Sequence, residues 1–318
     1  MKALATIFMG ILSVGTVFSA EPYPVRPIRM IVGFAPGGGT DLTARPVAQK
    51  LSELLGQQVI VENRPGAAGN IATEQVVKAP PDGYTLLMGT IAALAINPSL
   101  YGDLRFDPET DLAPVIQVVD ATNVLALHPS VPAGSVKELI ALAREKSLSA
   151  GSSGIGATGH LSIELFNLMA GVKLVHVPYK GGGPAMADLV GGQVNLIFAT
   201  TASAIPHLKS GRIKGIAVTT AKRSALLPDL PTISESGLAG FDANNWYGLV
   251  VPAKTPRAII DQLNAEVTKI LAMPDVKTTL FNQGLDPAPG TPEQFGAYIK
   301  SERAKWAKVI KESGAKPE

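Results

Sequence analysis

Ile28-Arg29-Met30-Ile31-Val32-Gly33-Phe34, followed by Ala35-Pro36-Gly37-Gly38-Gly39-Thr40-Asp41 and a helical pattern to Leu55, is the stretch that decides the fold. The first seven residues are apolar and branched enough for a buried strand, the glycines break it, and the periodic positions beyond predict a helix. The alternation recurs downstream. Gln58 to Asn63 reads as a strand, Arg64-Pro65-Gly66-Ala67-Ala68-Gly69 as a breaker, Ile71 to Lys78 as a helix and Thr85 to Gly89 as a strand. Such alternation implies βαβ units, hence an α/β protein with mainly parallel sheets covered by helices on both faces.

Two extended apolar segments, Val115 to His128 and Trp246 to Pro252, bracket a region that alternates again. They read as the crossing strands of a hinge. Inside the bracket, helices are expected at Val136 to Lys146, His160 to Ala170 and Ala185 to Val190. Strands are expected near Ser149 and at Leu174 to Val177, Asn195 to Ala199 and Ile213 to Thr219. Residues 21–122 with 246–318 would then form one lobe, and residues 123–245 a second lobe inserted into it. Tail helices at Pro256 to Leu271 and Pro292 to Ser313 are expected to pack back on the first lobe.

Composition narrows the classes. The 318 residues are 46% hydrophobic and 17% charged, which is globular and ample for two cores. A net charge of +2 from 28 basic and 26 acidic residues, with no basic tract, gives no footprint for nucleic acid. Met1 to Ala20 carries one charge, Lys2, then an apolar run from Ala3 to Phe18 and the small residues Ser19 and Ala20. That pattern predicts a cleavable signal peptide and export to the periplasm. The rival reading, an uncleaved anchor, needs a span of about 20 apolar residues, and this run is shorter. The absence of cysteine removes disulfides, thiolate metal sites and a cysteine nucleophile.

Three glycine-rich turns run straight into helices: Pro36 to Asp41, Gly151 to His160 and Lys180 to Pro184. Each presents free backbone N–H groups at the positive end of a helix dipole, a ready-made site for an anion. In doubly wound sheets such turns lie at the carboxyl ends of the strands, so turns from both lobes face one cleft. Thr40 and Thr158 are placed either to cap their helices or to donate a hydroxyl to a ligand. Arg45 is expected to make a salt bridge on its helix surface, and Lys180 to sit at the cleft mouth. Trp246 either plugs the interdomain core or floors the cleft.

Two enzyme motifs fail on context. Gly154-Ile155-Gly156-Ala157-Thr158-Gly159 matches the dinucleotide fingerprint literally, yet the strand at Leu174 to Val177 ends without the ribose-binding acid. Gly151-Ser152-Ser153-Gly154 does not have the spacing of a nucleophile elbow. The histidines His128, His160, His176 and His207 are spaced neither as a metal pair nor as an activated base. No catalytic residue, metal or cofactor is expected. Only His160 opens a helix at a glycine turn, where it can donate a hydrogen bond to a ligand.

Short motifs across nearly the whole chain carry a family resemblance. They include Val32-Gly33-Phe34 with Pro36-Gly37-Gly38, Val61-Glu62-Asn63-Arg64-Pro65-Gly66, and Pro81-Asp82-Gly83-Tyr84-Thr85. Further on stand Val177-Pro178-Tyr179-Lys180-Gly181, Leu227-Pro228-Asp229-Leu230-Pro231-Thr232 and Trp246. In these the chain resembles the substrate-binding proteins of tripartite tricarboxylate transporters, the Bug family. The resemblance implies a two-lobed type II periplasmic binding protein, each lobe a mixed sheet flanked by helices, with a two-strand hinge.

The resemblance also implies that two loops grip a carboxylate, partly through ordered water. In the first, the candidates are Phe34, Ala35, Pro36, Gly37, Gly38, Thr40 and Asp41, with Thr90 nearby. In the second lobe they are Ser152, Ser153, Thr158 and His160, with Tyr179, Gly181, Ala199 and Thr200. The family often carries an acid where Ala199 stands, so a ligand amino group would lack a partner here. The expected ligand is therefore a di- or tricarboxylate or an aromatic acid. The expected partners are integral membrane transporter subunits that receive it from a monomeric receptor. The alternatives are an exported sensor feeding a signalling protein and a nucleotide-dependent enzyme.

Overall fold

The computed structural model describes residues 23–317; the expected signal peptide lies outside them. The first half begins with β1 (Ile28–Val32), α1 (Gly39–Leu55), β2 (Val59–Asn63), α2 (Asn70–Val77) and β3 (Thr85–Thr90). A π turn at Ala92–Ile96 follows, then short α3 (Asn97–Leu100) and α4 (Pro108–Asp111), and β4 (Leu112–Ala121). The middle contains β5 (Asn123–Leu127), α5 (Val136–Glu145), β6 (Ser149–Ser152), α6 (Thr158–Ala170) and β7 (Val175–Pro178). It continues with α7 (Gly182–Val190), β8 (Leu196–Thr200), α8 (Thr201–Lys209) and β9 (Lys214–Val218). Last come β10 (Asn245–Pro252), α9 (Arg257–Ala272), α10 (Pro274–Asn282), β11 (Leu285–Pro287) and α11 (Pro292–Ser313).

These strands make two mixed sheets flanked by helices, the two-lobed α/β architecture. The first has the order β11-β4-β10-β3-β1-β2, and the second the order β7-β6-β8-β5-β9. β1 pairs in parallel with β2 and β3, while β10 runs antiparallel between β3 and β4. In the second sheet β6 is parallel to β7 and β8, and β5 antiparallel to β8 and β9. β3 and β10 are buried along their whole length, as strands covered on both faces must be. The sequence reading of mainly parallel sheets holds only where a helix joins consecutive strands.

The hinge differs in detail from its expectation. Val115 to His128 is not one strand: β4 belongs to the first sheet and β5 to the second, and the chain crosses at Thr122. Trp246–Pro252 does not cross at all, because β10 lies wholly in the first sheet. The return crossing falls just before it, where Ala243 N–H donates to Thr219 O at 3.0 Å and Thr219 Oγ1 to Ala243 O at 2.9 Å. The tail helices form where expected, but α11 packs on α6, beside the second sheet, as well as on β4 and the π turn of the first.

Candidate functional site

Helix boundaries build the site. α1 starts directly after Gly38, whose backbone is extended, and no side chain caps its first turn. α6 after the extended Ala157, and α7 after Gly181 with its φ of 151°, likewise lack a side-chain cap. α2, α8, α9 and α10 also lack a side-chain cap, whereas Asp107 caps α4, Ser135 caps α5 and a capping box of Thr291 and Gln294 closes α11, so it is the convergence of the three bare starts on one cleft that sets them apart. Neither Thr40 nor Thr158 turns back to cap. Both instead line the cleft between the two sheets, so three sets of first-turn N–H groups converge without an internal acceptor.

The cleft, solvent mouth included, occupies about 580 Å³. Phe34, Gly38, Thr40 and Thr90 line it from one side, and Ser152, Ser153, Thr158, Ala199 and Thr200 from the other. Its floor adds Asn123, Asn245, Tyr247 and Ser203, which sequence reasoning missed, and Gly39 and Gly182 sit at the helix starts. Among the described lining residues no aspartate, glutamate, lysine or arginine occurs. The field inside therefore comes from helix ends and neutral dipoles, which favours an anion and leaves an ammonium group without a counter-charge.

Two floor groups are poised for a ligand. Asn123 is 1% exposed and its Oδ1 has no hydrogen-bond partner, an expensive condition for a buried amide. The Tyr247 hydroxyl accepts from Asn245 Nδ2 at 3.1 Å, with Thr40 and Thr200 also hydrogen-bonded to it. Burial pushes its pKa up to about 12, against the pull of those three partners, so it stays a neutral donor. Trp246, one residue away, is fully buried and packs edge-on against Phe295 at 5.5 Å, which makes it a core plug rather than the cleft floor.

The other sequence candidates stand around the cleft rather than in its lining. Asp41 is buried beneath the first loop, accepting from Gly37 N–H at 3.1 Å, Asn63 Nδ2 at 2.9 Å and Arg45 at 2.8 Å. Burial raises its carboxyl pKa, but those three donors outweigh burial and hold it below the ordinary value. Arg45 thus makes the salt bridge expected of it, and Asp41 props the loop. Ala35, Pro36 and Gly181 meet where the lobes touch: Ala35 N–H donates to Lys180 O at 3.1 Å. A Cβ on Gly181 would lie 2.8 Å from Ala35 N, so only glycine permits that approach. Gly37 faces a separate hollow beside α7, and Tyr179 a second chamber, its hydroxyl donating to Asp188 at 2.6 Å.

His160 lies behind the second glycine loop. Its Nδ1 accepts from Gly156 N–H at 3.1 Å, and its ring stacks on His176 at 4.2 Å. His176 Nε2 in turn holds Ser152 Oγ at 2.6 Å, which fixes that side of the cleft wall. Burial, aided by the neighbouring His176, pushes His160 down to about 3, and burial alone pushes His176 down to about 4. Both rings are neutral when folded and bind protons more readily when unfolded. Their stabilisation is complete above pH 6.5 and is lost as pH falls toward 4. The melting temperature is expected to drop between pH 6.5 and 4.5, above the range where Asp41 and Glu62 take up protons. The double variant His160→Asn, His176→Gln, which keeps an acceptor in both places, should flatten that slope to the part left by His207. An unchanged slope in scanning calorimetry would show that the pair does not set it.

Comparison with known proteins gives the family. Residues 43–315 match the profile described as the tripartite tricarboxylate transporter family receptor, TctC. The chain belongs to that family. The chain is similar to the protein BugT of Bordetella pertussis, 38% identical over 99% of this chain and 98% of that protein. Among solved structures, Rpa4515 of R. palustris with adipate superposes with a TM-score of 0.91 at 40% identity, covering 93% of this chain and all of that one. MatC of Rhodopseudomonas palustris with bound malate gives 0.87 at 32% identity, over 91% and 100%. Among the described residues no helix is long and apolar enough to cross a membrane.

Proposed function

We propose that this receptor binds a small dicarboxylate between its lobes, in the periplasm, and hands it to the membrane subunits of a tripartite tricarboxylate-type transporter. The observation that carries the reading is the convergence of three helix N-termini without a side-chain cap, from both lobes, on a cleft whose described lining residues include no charged side chain. A carboxylate held there accepts from the N–H groups of α1, α6 and α7, from Thr40, Thr158 and Ser153, and from Tyr247. The lobes, residues 21–122 with 246–318 and residues 123–245, close by rotation at Thr122 and Ala243. Only the closed arrangement offers both sets of donors, so the ligand stabilises closure. No bond is made or broken. The relatives solved with adipate and malate support a dicarboxylate, and Ala199 in the lining, with no acid beside it, supports an acid without an amino group.

A thermal-shift screen of the chain from Glu21 onward tests this, with mono-, di- and tricarboxylates, aromatic acids, amino acids and nicotinamide nucleotides. A dicarboxylate at a hundred times its Kd should add about 2.7 kcal/mol and raise the melting temperature by roughly 4 °C. Silence from every carboxylate, with a response to nucleotides, would overturn the reading.

A further inference from the structure

We propose that Tyr101 is a positioning residue for the bound acid: its hydroxyl, carried by the chain between two strands of the first sheet, completes the second glycine loop and so keeps the N–H groups at the start of α6 aimed at the cleft. The proposal rests on the carboxylate-receptor reading and adds to it a residue outside the cleft lining. Tyr101 follows α3, between β3 and β4. Its hydroxyl donates to the carbonyl of Ile155, in the loop between β6 and α6, at 3.0 Å. Burial raises the pKa of the phenol, so it stays a protonated donor.

The loop needs support from outside itself. Gly154 and Gly156 sit at φ of 133° and 85°, and glycine has the most backbone freedom to lose on being fixed. Within the loop, Ser152 Oγ accepts from Gly154 N–H at 3.1 Å, and Ala157 N–H donates to Gly154 O at 3.1 Å. The carbonyl between them, that of Ile155, takes its hydrogen bond from Tyr101. From the next residue a line of contacts runs to the cleft wall: Gly156 N–H donates to His160, His160 stacks on His176, and His176 holds Ser152 Oγ. A shift of the peptide that Tyr101 holds therefore reaches groups that line the cleft.

The base under Tyr101 is fixed, and it presses on the same loop. A Cβ on Gly156 would overlap Asn97 Oδ1 and lie 3.1 Å from Leu100 and 3.3 Å from the Tyr101 ring, so α3 and the residue after it pack on bare backbone. Asn97 is fully buried and anchored on its other side, where Nδ2 donates to Asn70 Oδ1 at 2.6 Å and to Ala68 O at 3.3 Å. The loop belongs to the second sheet and its support to the first. Approach of the two therefore places the α6 donors before a carboxylate arrives, and preorganisation of this kind raises affinity by lowering the ordering cost of binding.

Tyr101→Phe removes the hydroxyl and keeps the ring. Isothermal titration of the chain from Glu21 onward with succinate, malate and adipate should show all three acids weakened by one common factor, about two- to tenfold, the worth of a single neutral hydrogen bond. Stopped-flow kinetics should place that loss in faster release, with association as in the wild type. Gly102→Ala, at the next position, should leave all three affinities at their wild-type values, since a Cβ there meets nothing within 4 Å. Unchanged affinities in Tyr101→Phe, with a lower melting temperature alone, would make the hydroxyl a purely structural bond. Unequal losses among the three acids would mean that Tyr101, which lines the second chamber, touches the ligand itself. Either result would overturn the positioning role while leaving the receptor reading intact. Failure of all three acids to bind the wild-type protein would overturn both.

Discussion

Gly39→Val is expected to abolish ligand binding, by on the order of a hundredfold or more, while the protein stays folded. Gly39 is the first residue of α1, and a Cβ there would lie 2.7 Å from both Thr200 Oγ1 and the Tyr247 hydroxyl. Neither neighbour is the loose end of a long side chain: Thr200 ends a strand of the second sheet, and Tyr247 is clamped by Asn245. The added methyl groups therefore take the carboxylate's place and wedge the lobes apart. Crowding of this kind costs about 1–3 kcal/mol, and the lost N–H contacts add to it. Because the φ of Gly39 is ordinary for any residue, helix α1 itself should form. Gly102→Ala is the control, since a Cβ there meets nothing within 4 Å. Titration of both variants with the acid selected by the thermal screen decides the matter. Wild-type affinity in Gly39→Val would remove the α1 terminus from the site.

Trp246→Ala should carry the largest stability cost of any single substitution in the hinge region, about 3–5 kcal/mol. The indole is fully buried, edge-on to Phe295 and tilted against Tyr298 at 5.6 Å, so it joins β10 to α11. A melting temperature lower by on the order of 10 °C follows for a chain of this size. Trp246→Phe should cost far less. It retains most of the aromatic packing and removes a buried Nε1 that has no partner. Equal losses in the two variants would mean that the indole nitrogen has a role the packing does not explain.

The glycine loops were legible because their residue types demand a break and a helix start whatever surrounds them. The break after Val32 and the helix starts behind both glycine loops lie where that reading put them. The floor was not legible. Asn123, Asn245 and Tyr247 come from the two hinge passages, where one step of register decides which side chain meets the cleft. Trp246 and Tyr247 are both aromatic, and periodicity alone cannot choose between them. Pairing of β10 with β4, with register shifts after Tyr247 and Leu249, makes the choice. Asp41 shows the opposite difficulty. Its place in a ligand loop suggested contact with the ligand, yet its acid is consumed by Arg45, Asn63 and Gly37 N–H, a network set by β2 as much as by the loop itself.

The position of β10 also sets an order of events during folding. It is the strand that joins β4 to β3 in the first sheet, yet more than a hundred residues separate it from either one along the chain. The second sheet, by contrast, draws all its strands from one continuous stretch, β5 to β9. A chain released from its amino end holds β1 to β3 and β4 as separate fragments with open edges until residue 252 arrives, a state prone to mispairing. Local pairings form faster than distant ones, so the second sheet is expected to condense first and the first sheet to close last.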